Sequence, residues 1–270
     1  MKRLFLICAM AVLGTGQSLA QLAPEDYKFF NHLSGGISLG LDGIGFEVAA
    51  PMTCNFAVRA GYTFLPRIKY STDIKLDESS VFSKEEIDIE GKLKMGNFHL
   101  LFDYYPFRKS SFHLTAGALF STPAIASVYN TEPFIKESYW GNSGIELGDT
   151  KNLYRQYSVV SDESGNINLD LKVNAVKPYI GVGFGRAVTK HRVGVQFDLG
   201  VQFWGRPGIF TNVKRFDYDE GNFVVRNERV ERGRITTDNE DYQDVKEAIR
   251  IMEKIRVYPV LKIRVAGRIF

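Results

Sequence analysis

The sequence predicts an all-β fold, a closed up-and-down antiparallel β-barrel of about eight strands. Three observations support this prediction. The chain of 270 residues is rich in glycine and aromatic residues, with 25 Gly, 13 Tyr and 20 Phe, which is typical of strands and turns. Its apolar residues alternate with period two, and its connections alternate between short and long. Charged residues make up 24% with a formal net charge of +3, which excludes a disordered chain and argues against a nucleic-acid partner.

The N-terminus has the three regions of a secretory signal peptide in their usual order. Met1–Arg3 is basic, Leu4–Leu13 is apolar, and Ser18–Ala20 forms a cleavage site of small residues. We expect residues 1–20 to be removed, leaving a mature domain of residues 21–270. Cys54 is then the single cysteine, so no intramolecular disulfide can form.

Eight segments alternate between apolar and polar or small residues. In one of them, Phe197, Leu199 and Val201 alternate with Asp198 and Gly200. The segments approach the ~9–11 residues that a tilted strand needs to cross a bilayer. They are residues 33–41, 45–50, 56–64, 97–104, 112–120, 178–185, 193–203 and 261–266.

Two features separate a membrane barrel from a water-soluble β-sandwich, which would also alternate. One face of each segment is continuously aliphatic and aromatic while the other is small or charged, as expected for lipid outside and a polar interior. Short connections also alternate with long loops at about 66–93, 121–175 and 207–256, and membrane barrels place these at opposite ends. The sequence therefore predicts a transmembrane barrel with long extracellular loops, in which Asp42–Gly43 is the one short external turn.

Several short motifs resemble those of the small eight-stranded outer-membrane β-barrel proteins of Gram-negative bacteria. They are Leu39–Val48, Arg59–Tyr62, Asp103–Phe107, Tyr179–Phe184, Asp198–Gly200 and Tyr258–Leu261. The resemblance covers nearly the whole mature chain and is weak in the long loops. It implies residence in the bacterial outer membrane and assembly by the outer-membrane insertion machinery, but no particular chemistry.

The C-terminal strand departs from the pattern of that family. The best alternation points Leu261, Ile263, Val265 and Ile269 outward, which leaves the terminal aromatic residue one position out of step. We therefore expect either a bulge near Gly267 or an overhanging Phe270.

The same alternation places charged residues in the lumen. The inward positions include Glu47, Asp103, Asp198, Arg59, Lys262, Arg264 and Arg268. A hairpin centred on Thr53 would set Glu47 directly opposite Arg59. These charges either neutralise one another and fill the bore or line a conduit for ions or protons. The narrow bore of an eight-stranded barrel favours the first interpretation.

Catalytic, metal and cofactor sites are not supported by the sequence. His99 points inward with Asp103 on the same face, but no serine is placed to complete a nucleophile–base pair. We interpret His99 as a hydrogen-bonding residue of the lumen and expect no enzyme activity. No Cys/His cluster has metal-site spacing, and Gly181–Gly185 lies within a strand, so we expect no metal and no cofactor.

The long loops are predicted to carry two hairpins, within 69–94 and 210–230, and one short helix. The helix spans Asp238–Lys254, with Asp238 or Asn239 as its cap. Its apolar stripe consists of Tyr242, Val245, Ile249, Met252 and Ile255. The stripe either packs on the loop hairpins as a lid, which we favour, or binds a partner or the membrane surface.

The sequence therefore predicts a non-enzymatic outer-membrane barrel whose structured loops serve surface binding or envelope integrity. Its expected partners are outer-membrane lipid, the insertion machinery and a surface ligand that the sequence does not identify. Two alternatives stay open: a narrow channel for small solutes and a surface lipid-modifying enzyme.

Overall fold

The structure is a computed structural model that describes residues 27–75, 83–84, 86–141, 144–146, 157–189, 192–218, 225–235 and 243–269. The predicted signal peptide, the predicted helix caps and Phe270 lie outside the described residues. In chain order the strands are β1 (Ser34–Gly40), β2 (Gly43–Pro51), β3 (Phe56–Phe64), β4 (Ile68–Lys75), β5 (Glu86–Leu93), β6 (Gly96–Tyr104), β7 (Phe112–Ser121), β8 (Ala124–Asn130), β9 (Gly144–Glu146), β10 (Tyr157–Val160), β11 (Asn168–Lys172), β12 (Val176–Phe184), β13 (Val193–Phe203), β14 (Gly208–Tyr218), β15 (Val225–Arg234) and β16 (Val257–Arg268).

Eight of these strands close into an antiparallel barrel in the order β1-β2-β3-β6-β7-β12-β13-β16. The barrel closes where β1 pairs with β16, from Ser34 opposite Arg268 to Gly40 opposite Lys262. Closure satisfies the backbone groups that an open edge would leave unpaired. The prediction of a closed eight-stranded barrel is confirmed.

The two faces of the barrel wall separate apolar from polar residues as the alternation predicts. On β13, Leu199 is 57% exposed on the outside while Asp198 is buried inside. The outer surface carries aliphatic and aromatic side chains on every barrel strand, among them Ile37, Phe46, Tyr62, Phe98, Leu114, Ile180, Leu199 and Ile263. Such a continuous apolar belt is far larger than the patches that water-soluble monomers expose.

The two ends of the barrel differ in their connections. The end with the short connections at 52–55, 105–111 and 185–192 is called the turn end, and the opposite end the loop end. At the loop end, strands β4, β5, β8, β11 and β14 pair in that order and form, with β9, β10 and β15, a second sheet called the wall. Each of these five strands is next in the chain to one barrel strand, in the order β3, β6, β7, β12 and β13, and both sets pair in the same order. The wall therefore extends the barrel.

A helix, α1 (Gln243–Lys254), packs on the wall. Ile249 is buried in a cluster with Tyr157, Val159, Val213 and Ile235, and Glu253 accepts a hydrogen bond from Arg234 at 2.8 Å. These contacts agree with packing of the stripe on the loop strands, although Ile255 is half exposed. Among the described residues, no helix is long and apolar enough to cross a membrane.

Two predicted details of register differ from the structure. Glu47 lies opposite Gly61 and Ala49 lies opposite Arg59, because the β2–β3 hairpin is centred on Cys54 rather than on Thr53. Of the two alternatives expected near the C-terminus, the bulge is absent from the described part of β16, because the pairing of β1 with β16 runs through Gly267 without a shift. The other alternative, an overhang, concerns Phe270, which lies outside the described residues.

Candidate functional site: the bore of the barrel

Arg59 is the centre of the charge network in the bore. Its side chain is fully buried, and its Nε lies 2.8 Å from Asp103 Oδ2 while its Nη1 lies 2.7 Å from Asp198 Oδ2. Strands β3 and β13, which carry Arg59 and Asp198, are four neighbours apart in both directions around the barrel. This ion pair therefore spans the full width of the bore. Charge-assisted bonds of this kind are short and hold their partners in a defined geometry.

Glu47 links a second set of cations to the same network. Its carboxylate lies 3.4 Å from Lys262 Nζ, 3.4 Å from Arg264 Nε and 3.6 Å from Arg59 Nη1. Lys262 also lies 3.4 Å from Asp42, at the β1–β2 turn. The structure thus brings together six of the seven predicted lumen charges.

Arg268 is the exception among these residues, and its predicted place in the lumen network is wrong. Its side chain is exposed, although its position has the inward parity. Arg268 is the last residue of β16, and its partner Ser34 is the first residue of β1, so this pair lies at the rim of the barrel. A side chain at the rim can reach solvent more easily than it can reach the bore.

Both described lumen histidines pair with carboxylates. His113 Nε2 lies 2.9 Å from Asp198 Oδ1, a pair that sequence reasoning missed because it joins residues far apart in the chain. His99 Nε2 lies 3.4 Å from Glu47 Oε1, so the partner of His99 is Glu47 and not Asp103, the acidic residue on the same strand. Both rings are fully buried, and His99 Nδ1 lies 3.5 Å from Thr63 Oγ1, which agrees with His99 acting as a hydrogen-bonding residue of the lumen.

The β12–β13 turn folds into the bore and fills its turn end. Ala187 is fully buried, its carbonyl accepts from Arg264 Nη1 at 2.9 Å, and its N–H donates to the Tyr105 hydroxyl oxygen at 2.9 Å. Tyr27 donates to the Val188 carbonyl at 2.9 Å. The one sequence signal for this plug is the apolar pair Ala187–Val188 within a short turn.

An apolar layer crosses the bore toward the loop end. Leu101, Leu119, Tyr179 and Val260 are buried together inside the barrel, with Tyr258 packed against them. The bore is thus occupied in succession by the plug, the charge network and this layer. Such filling is expected of a barrel whose interior is just wide enough for side chains.

Comparison with protein-family models and with curated protein sequences finds no match. Among solved structures, the chain is similar to Acinetobacter baumannii CarO, with 16% identity and a TM-score of 0.43 over 87% of this chain and 96% of that one. It is also similar to Acinetobacter baumannii CarO2, with 16% identity and a TM-score of 0.46 over 88% of this chain and 98% of that one.

Proposed function

We propose that this chain is an integral β-barrel of the bacterial outer membrane. The apolar belt around the barrel carries this proposal, since it matches the lipid-facing surface of a membrane barrel and encloses a polar interior. Membrane fractions of the native host and the heat-modifiable gel migration of the refolded chain test it. Recovery of the chain in the soluble periplasmic fraction would overturn it.

We further propose that the bore does not conduct solutes. The Arg59–Asp198 ion pair supports this, because it joins opposite sides of the barrel at 2.7 Å and so crosses the bore at that level. Purified protein in planar lipid bilayers should show no current steps above the bare membrane. Reproducible steps that scale with the amount of protein would favour the narrow channel instead.

The wall is the proposed working surface, which serves the binding of a surface ligand or the integrity of the envelope. It has its own apolar clusters, one around Val213 and one of Ile87, Phe134 and Ile135, so it is a folded element rather than a set of loose loops. Ile251, on the helix α1 that packs on the wall, and Ile255, which directly follows the helix, are both exposed.

An envelope assay tests the wall directly. A deletion strain should become more sensitive to detergents and bulky antibiotics, and the wild-type gene should restore its resistance. An Ile251→Ser, Ile255→Ser variant should reach the membrane in normal amounts but restore resistance less well. Normal resistance of the deletion strain would exclude an essential role in envelope integrity.

We also propose that the chain is not an enzyme. In the described part of the chain, the pairs His99–Glu47 and His113–Asp198 are both buried inside the bore, where no lipid headgroup reaches them. The lipid composition of a deletion strain should therefore match that of its parent. A lost or altered lipid A species would favour the lipid-modifying enzyme.

A further inference from the structure

Lys177, on β12, is a buried cation that pairs with no carboxylate among the described residues. Its side chain is fully buried, and its Nζ donates to Asn97 Oδ1 at 2.9 Å and to Ser121 Oγ at 2.6 Å, both neutral acceptors. The buried carboxylates of the bore pair with other cations: Asp42 and Glu47 with Lys262, and Asp103 and Asp198 with Arg59. An ammonium group has three N–H donors, so the third has no acceptor within the described ranges.

Two buried amide groups in the same part of the bore also lack an acceptor. Asn97 Nδ2 and Gln202 Nε2 are both buried, and neither has a hydrogen-bond partner in the part of the chain that the structure describes. The orientation of each amide is set by a neighbouring donor, because Asn97 Oδ1 accepts from Lys177 and Gln202 Oε1 accepts from Trp204 Nε1 at 3.4 Å. Rotating either amide would place N–H against N–H. Asn97, Lys177 and Gln202 are called the donor layer.

The donor layer lies between two apolar layers. On the strands of Ser121 and Lys177, the next inward residues toward the turn end are Leu119 and Tyr179, which belong to the apolar layer of the bore. Toward the loop end, Met95 and Trp204 flank Asn97 and Gln202 and are buried with Ile125 and Val173. Water and the distant carboxylates therefore contribute little to the stabilisation of Lys177, and an unpaired charge in such a place is costly.

We propose that the donor layer binds one small monovalent anion of the size of a halide or formate. One positive charge calls for one negative charge, and the spare N–H groups of Lys177, Asn97 and Gln202 are all donors. Ser121, which is partly exposed and bonded to Lys177, marks the point where the layer borders the surface. The bound anion stabilises the loop end of the bore, a role separate from the surface function of the wall.

Thermal unfolding of the detergent-folded chain in bromide tests this site. At constant ionic strength, replacing isethionate, a larger anion, by bromide should raise the melting temperature of the wild type, and above Kd the rise should grow with the logarithm of the bromide concentration. At ten times Kd the rise should be about 3–5 °C, from the linkage of binding to folding. Lys177→Met should lose this rise. Lys109→Met, which removes an exposed charge at the turn end, should keep it.

Asn97→Asp decides the matter even if Lys177→Met fails to fold. This variant places a carboxylate beside Lys177, so it should unfold at a higher temperature than the wild type and gain nothing from bromide. An equal bromide effect in the wild type, Lys177→Met and Asn97→Asp would overturn the proposal. The absence of any difference between bromide and isethionate in the wild type would overturn it as well.

Discussion

Replacement of Arg59 by methionine is the sharpest test of the charge network. Arg59→Met keeps much of the side-chain volume but removes the partner of three carboxylates at once. Asp198 keeps His113, and Glu47 keeps Lys262 and Arg264. Among the described residues, Asp103 keeps only the Thr115 hydroxyl, at 2.8 Å. Leaving one buried carboxylate without a cation costs roughly 3–5 kcal/mol.

The assay is equilibrium unfolding by urea of the chain folded into lipid vesicles. We expect the free energy of unfolding to fall by about that amount in Arg59→Met. The double variant Arg59→Met, Asp103→Asn should recover part of the loss, because it also removes the unpaired charge. Arg268→Met is the matched control, since that arginine is exposed at the rim and its loss should cost less than about 0.5 kcal/mol. Equal stability of Arg59→Met and wild type, or equal costs for the two arginines, would refute the network described here.

Four further predictions concern other parts of the molecule. Leu199→Arg on the outer face should cost ~2–4 kcal/mol in vesicles, whereas Ile269→Arg, on the same face near the rim, should cost only ~0–1 kcal/mol; equal costs would mean that this face does not contact lipid. Tyr105→Phe removes the acceptor of the buried Ala187 N–H, which should cost ~1–3 kcal/mol and speed proteolysis at the β12–β13 turn; an unchanged cleavage rate would show that the plug does not depend on this bond. Protease added to intact cells should spare 52–55 and 106–111 and should cut within 121–175 or 207–256 unless the wall is too tightly folded to be cleaved. Labelling of tags in those short turns on whole cells would invert the topology. On the β4–β5 hairpin, a hydrogen bond and repulsion from the opposing Asp73 raise the pKa of Asp88. The hairpin is therefore most stable below the ordinary aspartate pKa and loses that stability as pH rises through the raised value. Hydrogen exchange of the hairpin amides should show this pH dependence, and Asp73→Asn should abolish the dependence.

The local alternation of the chain was enough to predict the barrel strands and the direction of most of their side chains. Leu199 outward and Asp198 inward follow from the two-residue period of a strand, which is a property of the backbone at that point. The same rule indicated that Glu47, Arg59, Asp103, Asp198, Lys262 and Arg264 face the bore. Lys177 also follows the inward parity of β12, but it lies one residue before the predicted start of that strand and was missed.

Only closure of the barrel decided which inward residues meet. The Arg59–Asp198 pair joins strands on opposite sides of the bore, and which residues face each other there depends on the shear and tilt of the whole barrel rather than on any short segment. The plug at Ala187 requires the shape of the turn end, and the exposure of Arg268 requires the position of the rim. The sequence alone determined the faces of the strands because alternation is local, whereas the contacts across the bore are long-range and were decided by the tertiary structure.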